Sequence, residues 1–244
     1  MEQFKISRAL SLSFKSCFWN LVPLTLLMAL LYSPLAIWFA TFSPESEISE
    51  DLFKKMFTYP IYFTVGVSTL VPPLLTYRVI KELDGTTVSL LTSIKFGLRG
   101  FLPAMVLAAV TNLAQQVSGV GGLVSAVVTC ICFVAAPAAV AEKLGPFNAF
   151  SRSSELTKGR RWGIFGLTFL IGVIPAGLLL ILIVPTLEHG SIDSISSLRT
   201  YSILVVAIIG VFETFSGVAQ AVSYALLRQD KDGVGHAELA RVFE

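Results

Sequence analysis

Residues 100–141 read GFLPAMVLAAVTNLAQQVSGVGGLVSAVVTCICFVAAPAAVA, 42 positions without a charged side chain, closed by Arg99 before and Glu142-Lys143 after. A helix rises 1.5 Å per residue and needs about 20 apolar residues to cross the hydrocarbon core of a bilayer. This run holds two such helices, and its centre, Ser118-Gly119-Val120-Gly121-Gly122, carries the residues of a tight turn. Four further runs are long enough for one crossing each: 16–44, 56–77, 162–187, and 200–227 with Glu213 as its single interruption. The predicted spans are therefore six, at 18–42, 58–80, 101–117, 121–141, 162–184 and 202–226.

Composition agrees. Mean hydropathy is +0.76, with 54% hydrophobic and 14% charged residues, against about 25% charged in a soluble domain. The first apolar run is longer than the core of a cleavable signal, and no small-residue cleavage site follows it, so 18–42 reads as a retained span. The net charge of +2 gives no field that would draw nucleic acid to the chain. Cys17, Cys130 and Cys132 are odd in number and fall in or beside predicted spans, where cysteine behaves as a small hydrophobe.

The basic residues fix an orientation. Of 18 Lys and Arg, threading the six spans leaves 15 on one side and only Lys54, Lys55 and Arg199 on the other. The positive-inside rule then places both termini in the cytoplasm. The expected fold class is all-α: a polytopic membrane protein of six transmembrane helices in three hairpins.

Each hairpin is preceded by a short amphipathic stretch. In the first, Ile6, Leu10, Phe14 and Phe18 recur every four residues, while Lys5, Arg8, Ser11 and Lys15 take the other side. In the second, Leu90, Leu91, Ile94 and Leu98 alternate with Ser89, Ser93 and Lys95; in the third, 147–157, Phe147 and Phe150 oppose Arg152 and Glu155. Such helices suit the cytoplasmic headgroup plane. They also resemble one another. A shift of 80 places Leu10 on Leu90, Ser13 on Ser93, Lys15 on Lys95 and Pro23 on Pro103, and a shift of 60 places Gly85 on Gly145 and Ser93 on Ser153. Residues 1–244 thus read as a single membrane domain built from repeats at 4–84, 85–144 and 145–231, with a tail at 232–244. Among the prolines, the pair Pro72-Pro73 is expected to bend its span most.

Few residues carry chemistry. Glu213 is the one ionisable side chain near a span centre, where a charge costs from about 2.5 kcal/mol upward. Ser216, Gly217, Gln220, Ser223 and Tyr224 continue its stripe along the sixth span, and Thr111, Asn112, Gln115 and Gln116 offer a polar stretch in the third. Glu213, Gln220, Asn112 and Gln115 form the candidate intramembrane polar site. Two readings stand: a proton or cation site in a transport path, or a protonated acid that fastens helices together. The lack of a basic partner near the centre of any predicted span favours the second. Arg152, Lys158, Arg160 and Arg161, beside Trp162, form the densest basic patch and the candidate contact for anionic lipid or a protein partner. His189 and His236 lie in an outer loop and in the tail, which gives no paired-His metal site, and no nucleophile elbow or phosphate-binding loop occurs. No catalytic residue, metal or cofactor is expected.

The stretch from Glu142-Lys143-Leu144-Gly145-Pro146-Phe147 to Lys158-Gly159-Arg160-Arg161-Trp162, together with Tyr77-Arg78-Val79-Ile80-Lys81-Glu82-Leu83 and Tyr224-Ala225-Leu226-Leu227-Arg228, resembles a bacterial family. It is the family of the glycerophosphoryl diester phosphodiesterase membrane domain, with the related YciC-like inner-membrane proteins. The resemblance implies a six-helix protein of the bacterial cytoplasmic membrane and supplies no catalytic residues, because hydrolysis in those phosphodiesterases belongs to a separate soluble domain. The functional expectation is a non-enzymatic accessory or scaffold component of the cell envelope or of a lipid-related system, with membrane lipids and another membrane or cytoplasmic protein as partners. The alternative is a small solute or lipid transporter or channel that uses Glu213.

Overall fold

The computed structural model describes residues 4–41, 50–83, 85–115, 121–188 and 195–233. Among these residues every regular element is helical: α1 (Ile6–Trp19), α2 (Leu21–Ala40), α3 (Glu50–Leu83), α4 (Leu90–Gly97), α5 (Phe101–Gln115), α6 (Gly121–Cys132), α7 (Ala135–Glu142), α8 (Pro146–Thr157), α9 (Arg161–Glu188) and α10 (Ile195–Asp232). Six segments are long and apolar enough to cross a membrane: Leu21–Phe39, Tyr62–Leu83, Leu90–Val110, Gly122–Glu142, Arg161–Leu182 and Arg199–Asp232. The chain is by this measure a multi-pass membrane protein.

The helices fall into two compact units, one formed by Met1–Leu21, Thr69–Phe169 and Phe215–Glu244, the other by Val22–Ser68 and Leu170–Thr214. The second unit buries Leu24, Leu27, Leu35 and Phe39 of α2 with Val67 of α3. Aromatic edges close it, Tyr32 on Phe63 at 6.3 Å and Trp38 on Tyr59 at 5.9 Å between ring centroids. The first unit holds the tighter core. Ala135 through Ala141 of α7 are buried without interruption; Val71, Leu74, Leu75 and Ile80 of α3 are buried too, as are Val218, Ala219 and Ala221 through Leu227 of α10.

One predicted span is in two pieces. The segment expected at 121–141 is α6 followed by α7, parted at Phe133-Val134. Pro137 supplies the cause. It has no N–H to return to the carbonyl of Phe133, and its ring crowds that carbonyl. The open ladder is closed from outside. Ser153 Oγ of α8 donates to Ile131 O at 2.9 Å and accepts from Val134 N at 3.3 Å, and Thr157 Oγ1 donates to the same carbonyl at 3.4 Å. Ser153, Thr157 and Val134 are all fully buried.

Pro72-Pro73, expected to disturb its helix most, lies inside an unbroken α3. Neighbouring helices present glycines there. A Cβ placed on Gly97 would lie 2.6 Å from both Leu74 Cα and Pro73 O, and one on Gly217 would lie 3.2 Å from Pro72 Cα. Gly100 meets Ala136 O and Val140 in the same manner, so α7 also comes close to the start of α5. Small residues at helix contacts let backbones approach within van der Waals reach, the main attraction open to helices in lipid.

The short helices bury a face that the amphipathic pattern does not name. In α1 the inward residues are Ala9, Ser13 and Ser16, in α4 Ser93 and Gly97, and in α8 Ala149, Ser153, Leu156 and Thr157. The inward face is small and weakly polar, and the large apolar residues point outward: Phe14, Phe18, Leu91, Leu98 and Phe147 are exposed. Nothing drives a phenylalanine into the protein when the surroundings are themselves apolar, whereas close approach selects serine, alanine and glycine.

Two substitutions test this packing. Ser153→Ala leaves a buried carbonyl and a buried N–H short of a partner, and unfolding in detergent is expected to come at lower temperature by the equivalent of about 1–3 kcal/mol. Gly97→Ala drives a methyl into the α3 backbone and is expected to cost about 1–3 kcal/mol in the same assay. Ser13→Ala, which loses only the hydroxyl donated to Ala9 O one turn back, should be nearly silent.

Candidate functional site

Glu213 and Gln220 of the candidate intramembrane site both lie on α10. Glu213 is half-buried on α10 in the second unit, within electrostatic range of Tyr32 on α2. Gly210, one turn earlier on α10, faces the Tyr32 ring with 3.4 Å between its would-be Cβ and Tyr32 Cε2. The Tyr32 hydroxyl is buried with no hydrogen-bond partner among the described residues. Gln220 belongs to the first unit and is half-buried. Tyr224, expected to continue the Glu213 stripe, instead donates its hydroxyl to Glu142 Oε1 at 2.9 Å. α5 runs through Asn112 and Gln115, whose side chains lie outside the described set, and Gln116 lies outside the described residues.

Two polar networks in the first unit draw in residues that the sequence presented only as topology anchors. In one, Glu82 at the end of α3 accepts from Ser16 Oγ at 2.7 Å and from Asn20 Nδ2. Asn20 Nδ2 also donates to Ser16 O at 2.9 Å, while its Oδ1 accepts from Arg78 Nε at 2.6 Å, and Arg78 Nη1 donates to Val88 O at 2.5 Å. Asn20, which forms the turn between α1 and α2, thus ties that turn to α3. Cys17 sits alongside. Burial, aided by the Glu82 charge, pushes its thiol up to about 11, so it stays protonated and unreactive at neutral pH.

The other network centres on Glu142 at the end of α7. Arg152 Nε of α8 donates to both its oxygens, at 3.0 and 3.1 Å. The same guanidinium reaches Glu155 Oε2 at 3.0 Å and Asp232 Oδ2. Arg228 stands 3.8 Å from Glu142 and 3.5 Å from Asp232, and its Nη1 donates to the Tyr224 hydroxyl at 3.1 Å. Burial alone would lower the Arg152 pKa. The hydrogen bonds to Glu142 and Glu155 and the charges of Glu142 and Asp232 outweigh it, and Arg152 is held above its ordinary value. Arg160 Nε pairs with the buried Asp230 carboxylate at 3.0 Å.

The candidate basic patch is accordingly divided. Arg152 and Arg160 are committed to intramolecular ion pairs, Arg161 donates to Ser154 Oγ at 3.3 Å, and Lys158 is exposed. A sequence signal for the missed acids exists. Glu82, Glu142 and Asp230 each stand three residues before a glycine, Gly85, Gly145 and Gly233, at the end of a helix. Among the described residues no three His, Cys, Asp or Glu side chains are grouped as metal ligands would be.

Comparison of the chain with family models, with curated proteins and with solved structures gives no match.

The Glu142 network orders its members by burial. The Arg152 and Glu142 side chains retain 18% and 17% of their accessibility, Glu155 69%. Glu142→Gln leaves the half-buried Arg152 and Arg228 with Asp232 as the one acid they still share, and is expected to cost about 1–3 kcal/mol of stability. Glu155→Gln should cost about 0–1 kcal/mol, because water screens an exposed pair. Thermal unfolding of the two variants in one detergent gives the comparison.

Proposed function

We propose that this chain is a non-enzymatic accessory or scaffold protein of the bacterial inner membrane, acting in a cell-envelope or lipid-related system. In this reading both termini are cytoplasmic, the six spans form three hairpins, α1, α4 and α8 lie at the cytoplasmic headgroup level, and the third crossing starts with α5, although the apolar segment Leu90–Val110 takes in α4 as well. The observation that carries it is the use made of the ionisable groups. Glu82, Glu142 and Asp230 close the ends of three long or paired helices, and each is held by a residue of α1, α8 or the turns that follow them. Groups engaged in this way fasten the fold and hold one another, as a structural subunit requires. Membership of the phosphodiesterase membrane-domain family, which the junction residues suggest and no family model matches, would imply the same role, as a membrane part without catalytic machinery of its own.

The proposed three-unit repeat accords with this pattern. Ser13, Ser93 and Ser153, matched by the shifts of 80 and 60, are all buried on their short helices. The shift of 60 also places Glu82 on Glu142.

A second reading, a small transporter or channel, is favoured by the juxtaposition of Glu213 with the unpartnered hydroxyl of Tyr32. An acid and a phenol with no other partner can share a proton between helices.

Native mass spectrometry on protein extracted gently from its own membrane separates the two. A second protein at fixed stoichiometry is the expected result. A lone chain that supports proton-coupled flux in liposomes, lost in Glu213→Gln with expression unchanged, would overturn the scaffold reading. Reporter fusions at Glu47 and Ser194 should read outside and those at Lys95 and Lys158 inside; one reversal would break the six-span topology.

A further inference from the structure

Three basic residues left outside the buried ion pairs share an arrangement. Lys15 Nζ lies 5.7 Å from the centroid of the Trp19 ring, just before α2 begins. The Arg99 guanidinium lies 5.2 Å from the Phe96 ring, just before α5 begins. Arg161 is the first residue of α9 and is followed by Trp162, the most exposed large side chain of the three sites at 87%. Each base is exposed, and each stands where a short helix hands over to a long apolar one.

Large outward residues accompany them: Phe14 and Phe18 on α1, Leu91 and Leu98 near Arg99, Phe147 on α8. An exposed cation near an aromatic residue, the exposed Trp19 and Trp162 or the half-buried Phe96, with large apolar side chains on the adjoining helices, matches one chemistry in two parts. The cation suits a phosphate diester. The ring and the alkyl groups suit the glycerol backbone and first methylenes of the attached chains. Water would meet such a surface poorly, and a soluble protein partner would leave the spans behind it uncovered.

We infer that Lys15, Arg99 and Arg161, each with its neighbouring aromatic ring, form three phospholipid headgroup sites selective for anionic lipid, and that Arg152 and Arg160 take no part in them. The occupant is membrane phospholipid. Juxtamembrane bases add about fivefold each to the preference for an anionic over a zwitterionic headgroup, the ratio that corresponds to about 1 kcal/mol. The inference rests on the inner-membrane reading proposed above, and the two fail separately: reversed fusion reporters would sink the orientation, an unchanged lipid ratio the sites.

The test uses the full chain in micelles with equimolar phosphatidylglycerol and phosphatidylcholine of matched acyl chains, with bound lipids counted by native mass spectrometry. The wild type is expected to carry phosphatidylglycerol several-fold in excess. Lys15→Gln, Arg99→Gln and Arg161→Gln should each lower that ratio, and the triple variant should bring it near one with the unfolding temperature little changed. Arg160→Gln, which breaks the pair with Asp230, should unfold earlier yet keep the wild-type ratio in the folded fraction. Inorganic phosphate at millimolar concentration should leave the ratio unchanged, because it offers nothing to the rings. An equal ratio in the wild type, a triple variant with the wild-type ratio, displacement by inorganic phosphate, or a dimer that excludes lipid would each overturn the inference. Should the triple variant fail to fold, the three single variants decide it.

Discussion

The first unit depends on a rule that applies wherever water is absent: a buried backbone N–H or carbonyl must have a partner. Pro137 breaks that rule within an apolar segment by withholding a donor from Phe133. At the break stands Ser153, one hydroxyl that donates to Ile131 O and accepts from Val134 N, supported by Thr157. α8 is therefore tied to α6 and α7 by hydrogen bonds that replace part of a helix ladder. Once α8 is set there, Arg152 is brought to Glu142 and Asp232, and Arg160 to Asp230. The end of α10 is in turn fixed by those arginines.

Packing in this unit follows from the solvent. In water a helix turns its largest apolar side chains inward; α1, α4 and α8 do the opposite and bury serine, alanine and glycine. Dispersion forces between closely approaching backbones, with hydrogen bonds such as those of Asn20 and Glu82, supply the cohesion that hydrophobic burial supplies elsewhere. The same logic explains why α3 passes Pro72-Pro73 unbroken. Gly97 and Gly217 leave room for the α3 backbone, and α3 continues as one helix through positions that lack donors.

Charge is handled in two ways within one short region. Acids at helix ends are buried against arginine, asparagine and serine, where removal of one partner strands another. Bases just ahead of the apolar helices stay exposed beside aromatic rings. Arg152 and Arg161 are nine residues apart and look alike in sequence, yet one is drawn into three acids and the other faces outward.

Helix class and the number of apolar segments were legible in the sequence, because uncharged runs of 20 or more residues report directly on the cost of charge in hydrocarbon; the limits were not in every case, since the third segment, expected at 101–117, is Leu90–Val110 and takes in Lys95 and Arg99. The existence of the three short helices was legible too, from turn residues and periodicity. Their inward faces were not: a pattern of large apolar against charged residues names two sides, and the buried side was a third, of small residues, chosen by close approach. The break at Phe133-Val134 needed tertiary structure for a related reason. Proline marks where a ladder can open, and only the position of Ser153 decides that Pro137, and not Pro72-Pro73, is where it does. For the polar residues, composition could place Arg152, Arg160 and Glu142 at a membrane boundary. Which of them pair depends on helices brought together across up to 86 residues of chain, from Glu142 to Arg228, and no local pattern carries that distance.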